Sequence, residues 1–228
     1  GYWVSEKMLS LFDLPLLGDI GLARQGLATG DNARFLRMWY EVSWQKIKFD
    51  ANSNDNALSS TYKWFPHNKG GNVKWFGDND YVIAFDKSNF DALLQMGNHL
   101  PSRQYYFMPC ISWSVISSTR TTFRYIPSGF TFNMCGMSYF SSAHSDLFRI
   151  LGYSNSPIFN KLAAIVNPTI NLSNGDFARI PYCDTNDEVT KIVECNISIS
   201  KQDWDAHETS WDFQENELVR LSKEQGEG

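Results

Sequence analysis

The sequence predicts an α+β protein: a domain built on an antiparallel or mixed sheet, followed by a C-terminal helical extension. Three observations predict it. Short aromatic-rich runs at 62–65, 73–76 and 81–85 are separated by Asn-Lys-Gly-Gly and Gly-Asp-Asn-Asp, the punctuation of antiparallel strands. Segments 88–96 and 157–166 have helical length and apolar spacing. Beyond Pro181 the composition turns acidic and reads as helix. We therefore expect a domain over 1–181 and an acidic helical extension over 182–228.

In chain order, Ser5 caps a short helix that ends near Leu14-Pro15. Residues 19–27 read as a strand. Asp31 and Asn32 cap a short helix running through Met38, and 39–42 reads as extended. The polar run 50–60 (DANSNDNALSS) reads as a mobile loop. The three aromatic strands follow, then the helix at 88–96. Residues 111–114, 123–126 and 130–132 read as strands, with Pro127-Ser128-Gly129 as a turn. The buried helix at 157–166 stops at Asn167-Pro168. Two helices, 188–199 and 202–208, complete the tail.

The chain has 228 residues, 43% hydrophobic and 15% aromatic, enough for a sizeable core. Its 20% charged content is not that of a disordered chain. No apolar run is long enough to span a bilayer. The start, Gly1-Tyr2-Trp3-Val4-Ser5-Glu6-Lys7, lacks the basic and apolar regions of a secretory leader, so a cytoplasmic protein is expected. A start without Met reads as that of an excised piece. Cys110, Cys135, Cys183 and Cys195 form no C-x-x-C pair and read as reduced thiols; no metal site is expected.

The net charge of −5 argues at first against a nucleic-acid binder. The charge is unevenly placed. Residues 1–182 carry 16 Lys+Arg against 13 Asp+Glu, whereas 183–228 carry 4 against 12. Local charge decides where phosphate binds, and the unusual motifs lie in the mildly basic part.

Three motifs stand out. In 26–37 a glycine-bounded turn enters a helix start, where N–H groups could hold a phosphate. Thr29 and Asn32 would bond to phosphate or sugar, and Arg34 and Arg37 add charge. The competing reading is a plain capped helix with solvated arginines. In 63–75 basic residues interleave with aromatics around a glycine turn. Lys63, Asn68, Lys69 and Lys74 are candidate DNA contacts, and Trp64 and Trp75 candidate base-stacking groups, although an aromatic on a strand is more often core. In 111–125 a run of hydroxyls with two arginines and no acid offers Ser117, Ser118, Arg120 and Arg124. A polar strand face with a loop would look the same.

Methyl transfer to adenine needs an N-P-P-Y-like loop to grip the flipped base, and a glycine-rich cofactor turn. Asn167-Pro168-Thr169-Ile170 is no such loop. Nuclease, nucleophile-elbow and H-E-x-x-H patterns are also missing. No catalytic residue is expected in this chain.

The blocks GLATGDNARFLRMWYEV, KWFPHNKGGNVKWFGDNDYVI, ISWSVISSTRTTFRYIPSGFTFNMCGMS and NPTINLSNGDFARIP, with the tail ISKQDWDAHETSWDF, occur in that order. Together they resemble the C-terminal region of the PglX family, the adenine-specific DNA methyltransferases of BREX phage-defence systems. The TGDN block is also similar to a pattern in modification enzymes with a TaqI-like specificity domain. The resemblance implies a parent enzyme that uses S-adenosylmethionine in an N-terminal catalytic domain. It implies that this region binds double-stranded DNA and presents the target adenine, with that catalytic domain and other phage-defence proteins as partners. No cofactor is implied for this chain itself. Two further readings stand beside it: the specificity domain of a fused type II restriction-modification enzyme, and a protein-interaction module acting through the acidic tail.

Overall fold

The computed structural model describes residues 4–117, 120–141, 144–224 and 226. Two four-stranded sheets form its centre. The helices are α1 (Glu6–Leu9), α2 (Leu17–Ile20), α3 (Asn32–Phe35), α4 (Asn54–Leu58), α5 (Lys87–Gln95), α6 (His144–Ser154), α7 (Pro157–Val166), α8 (Asn174–Ala178), α9 (Asp187–Asp205) and α10 (Glu217–Glu224). The strands are β1 (Leu22–Arg24), β2 (Leu36–Met38), β3 (Trp64–Asn68), β4 (Tyr81–Ala84), β5 (Cys110–Ser114), β6 (Arg124–Ile126), β7 (Thr131–Phe132) and β8 (Gly136–Phe140). The expected α+β class with C-terminal helices is the observed one.

The first sheet has the order β1-β8-β5-β6 and is antiparallel throughout. The second has the order β2-β4-β3-β7, with a parallel pairing only between β3 and β7. Side chains alternate across a strand, so each sheet has two faces. On the first sheet Ile111, Trp113, Tyr125, Met137 and Tyr139 face the helices and pack with Phe159, Leu162 and Phe177. Cys110, Ile126 and Phe140 face the second sheet and join Leu36, Phe65 and Ile83. The outer face of the second sheet carries Trp64, Val82 and Ala84 under Trp39, Val42 and Phe49.

The acidic tail is folded onto this body. α9 lies along α6 and buries Val193 in the core that holds Trp113. Gly152 on α6 makes the close approach possible, since a Cβ there would lie 2.8 Å from Val189 and 2.9 Å from Val193. Beyond α9, Trp211 packs on Phe49 and Phe130, and the Trp39 indole donates to the Thr209 carbonyl at 2.9 Å.

Several local expectations are corrected. The strand expected at 19–27 shortens to β1, because α2 takes its first residues. The helix expected through Met38 ends at Phe35, and Leu36 turns into β2 opposite Ile83. Residues 39–41 form a 3-10 turn rather than an extended run. The run 50–60 holds α4, capped by the Ser53 hydroxyl accepting the Asn56 N–H at 3.1 Å and anchored by buried Ala57. Residues 73–76 make no strand: the Asp78 carboxylate takes the N–H of Asn72 at 2.7 Å and of Val73 at 3.3 Å, drawing the backbone away from a ladder. Trp75 bridges only to Arg124. The two tail helices are one, α9, since nothing at Ser200-Lys201 breaks it.

Candidate nucleic-acid interface

The candidate contacts fall into separate groups. The first is the turn into α3. Asn32 and Arg34 are exposed, but Thr29 is buried and donates its hydroxyl proton to Asn32. The helix start is already occupied: Asp31 accepts the Arg34 N–H at 3.0 Å. A carboxylate at that position repels phosphate, and α3 is a single turn. The helix-start reading of this motif is therefore corrected to a capped turn, leaving Arg34 as its exposed cation.

The second group lies on the outer face of the second sheet. Arg37 on β2 and Lys63 beside β3 flank Trp64, their charged groups 5.9 and 5.3 Å from its rings. Arg37 also donates to the carbonyls of Ala33 at 2.5 Å and Leu36 at 2.6 Å, which fixes its stem. Trp64 is only 7% exposed and packs against Ile47, Val82 and Ala84. It is a core group carrying cations on its edge, not a surface for a base. Trp75 is half-buried against the helix-side core and is likewise held by backbone: its N–H donates to Phe123 at 3.0 Å. Sequence reasoning missed the neighbouring turns, which expose Tyr40 (63%), Trp44 (49%) and Lys46. The Trp-Tyr and Trp-x-Lys pairs at 39–46 were the available signal.

Lys69 sits 4.7 Å above the Tyr81 ring, half-buried, and Lys74 is exposed on the loop that follows. Ser117 and Arg120 lie elsewhere, beside α7 and the 167–172 segment that cover the helix side of the first sheet. Ser118 lies outside the described residues.

Asn68 and Arg124 are corrected outright. Both are 0% exposed. The Arg124 guanidinium donates at 2.7 Å to the Asn68 side-chain oxygen and at 2.7 Å to the Gly70 carbonyl, with Asp78 at 3.9 Å. Asn68 in turn donates to the Ser112 hydroxyl at 2.7 Å. This polar knot ties the two sheets together. Gly71 is required above it, because a Cβ there would fall 1.8 Å from the arginine. Burial lowers the Arg124 pKa to about 10 against the pull of Asp78, so the group stays charged near neutrality. Nearby His67, fully buried and bonded to the Thr131 hydroxyl at 2.8 Å, is held neutral: burial drops its pKa to about 3, with help from Lys69.

One electrostatic contrast separates the exposed candidates from the tail. Among the described residues, Arg34, Lys63, Lys74 and Arg120 make no salt bridge, whereas three of the tail's four cations, Lys201, Arg220 and Lys223, are each paired with Asp or Glu, and only Lys191 is not. No group of three or more His, Cys, Asp or Glu able to hold a metal occurs among the described residues. No described helix is long and apolar enough to cross a membrane.

No family model matches the chain. Individual proteins do. The chain is 34% identical over 229 residues to the adenine-specific methyltransferase PglX of Lacticaseibacillus casei (strain Zhang), covering 96% of this chain and 19% of the relative. It is 35% identical over 223 residues to the adenine-specific methyltransferase BrxX of Escherichia coli O9:H4 (strain HS), covering 96% and 18%. The chain matches a PglX-like region. It spans about a fifth of the length of these relatives, so the likeness is to one segment of such enzymes and not to their whole. Both sheets and α9 fall within a match of this extent.

Proposed function

We propose that the chain is the DNA target-recognition part of a site-specific adenine DNA methyltransferase, binding duplex DNA and offering the target adenine to a catalytic domain elsewhere in the parent. The supporting observation is the combination of a match confined to about a fifth of the PglX and BrxX methyltransferases with a set of exposed cations that no carboxylate among the described residues neutralises. Lys and Arg without a carboxylate partner are the groups that release counterions from a phosphate backbone. Arg34, Arg37, Lys63, Lys69, Lys74, Lys46 and Arg120 are the proposed contacts, and Tyr40 and Trp44 the proposed exposed aromatics.

S-adenosylmethionine belongs, on this reading, to the rest of the parent. The residues here do not fit it: the sheets are antiparallel apart from β3–β7, and among the described residues no parallel strand–helix–strand unit presents a switch point for a nucleoside cofactor. No methyl-transfer step is assigned to this chain.

The reading is tested by fluorescence anisotropy with labelled duplex at several salt concentrations. The expected result is binding that weakens steeply with salt, with log K falling linearly against log[salt]. Absence of binding at low ionic strength would overturn it. Methylome sequencing of cells carrying the intact enzyme then gives the site.

A further inference from the structure

We propose that the cleft between Arg120-Thr121, α7 and the 167–172 segment is a phosphate site, which on the recognition reading above receives the backbone of bound DNA. The cleft encloses about 410 Å³. Arg120 and Lys161, an exposed residue of α7, both line it. Neither forms a salt bridge among the described residues, and no described Asp or Glu lines the cleft. Asp176, bonded to the cleft residue Asn167, is buried and committed: it pairs with Arg179 and accepts from Asn167 at 2.9 Å and from the Ser173 hydroxyl at 2.7 Å.

The walls are held rigidly. The Ser117 N–H donates to the Ile170 carbonyl at 3.1 Å, and the Leu172 N–H to Val115 at 2.8 Å, so the 115–117 and 170–172 segments form a small antiparallel ribbon off the end of β5. Asn167 fastens the second segment by donating to Asn171 at 3.1 Å and accepting from the Thr169 N–H at 3.0 Å. The Trp113 indole donates to the Leu172 carbonyl at 2.9 Å and roots the ribbon in the core. Two cations and the Thr121 hydroxyl lining one cleft give it the charge and donors that suit a tetrahedral anion. Ile170, 63% exposed at the rim, gives the cleft an apolar edge suited to sugar. Lys161 was absent from the motifs read in the sequence, and only the fold brings it to the same cleft as Arg120.

The test uses the 228-residue chain with Arg120→Ala, Lys161→Glu and the double variant, and Lys87→Ala as the control, since Lys87 is paired with Asp91 on α5. Two probes are used: labelled duplex DNA by anisotropy, and inorganic phosphate by amide NMR shifts. If the cleft holds backbone phosphate, the double variant binds duplex about tenfold more weakly at low salt. Its salt slope falls by roughly 1, near the value of about 0.9 expected for each phosphate no longer neutralised. Lys87→Ala leaves both unchanged. Unaltered duplex affinity and slope in the double variant overturn the proposal while leaving DNA recognition standing. If the native chain ignores duplex but phosphate shifts amides of 117, 121 and 161, and the variants abolish this, the cleft is a free-phosphate site and the recognition reading falls instead. No response to either probe overturns both.

Discussion

Arg124 and Asn68 meet at 2.7 Å in the space between the two sheets, and neither has any solvent-exposed surface. A buried charge that loses a partner is expensive, because the remaining group keeps its desolvation cost. Asn68→Ala removes one acceptor from the guanidinium and the partner of Ser112. Arg124→Ala empties the space and strands Asn68. We expect losses of roughly 1–3 kcal/mol for the first and 3–5 kcal/mol for the second in urea unfolding. Gly71→Ala falls on the same knot and also destabilises. Full stability in Arg124→Ala would show that the knot does not join the sheets.

His67 predicts a pH dependence. Its folded pKa, about 3, lies below its usual 6.5, so between those values the unfolded chain binds the extra proton. Stability is full above about pH 6.5 and is lost as pH falls toward 3. At pH 5 the loss is roughly 2 kcal/mol. Urea unfolding at pH 8, 6 and 5 measures it. His67→Gln flattens the profile over that range, even if its absolute stability is lower.

Trp64 and Lys63 separate folding from binding. Trp64→Ala leaves a hole beside Ile47, Val82 and Ala84 and costs about 3–5 kcal/mol. Lys63→Ala, on the exposed edge of the same ring, changes stability by less than about 0.5 kcal/mol. On the proposed function it weakens duplex binding uniformly across sequences and lowers the salt slope. Thermal melts and anisotropy on both variants distinguish the roles. Equal loss of stability in the two would refute the division.

What the sequence revealed follows from how each segment is buried. Strands β4 and β5 and helices α5 and α7 were legible because their runs are apolar and flanked by turn residues. β8, which lies between β1 and β5, was not: Gly136-Met137-Ser138-Tyr139-Phe140 is buried on both faces, and it lacks an alternating apolar pattern. β3 extends through Pro66 and His67, past the run expected to end at Phe65. At Pro66 only the β4 side is paired, so its missing N–H costs no bond to β7. Arg124 misled for a related reason. In Phe123-Arg124-Tyr125-Ile126 the arginine alternates with aromatics as a solvent-facing residue would, but a second sheet covers that face. Arg120 and Lys63, in loop or edge positions, kept the exposure their surroundings implied.

The interface of α6 and α9 supplies a last prediction, because helix propensity and packing oppose each other there. Replacing an interior helical glycine with alanine ordinarily stabilises by up to about 1 kcal/mol. At Gly152 the new Cβ would sit 2.8 Å from Val189 and 2.9 Å from Val193, both β-branched and stiff at χ1. The helices must separate, and Val193 is fully seated in the core that holds Trp113. We expect Gly152→Ala to destabilise the protein and speed hydrogen exchange in α9 selectively. Adding Val189→Ala, which makes room, restores part of the loss. Removing residues 214–228 instead, a segment whose helix α10 buries nothing, leaves the melting temperature nearly unchanged. Removing 183–228 strips Val193 and Trp211 from the body and lowers it sharply. If α9 exchanged no faster in Gly152→Ala, or if the long deletion melted like the short one, the tail would be an appendage rather than part of the fold.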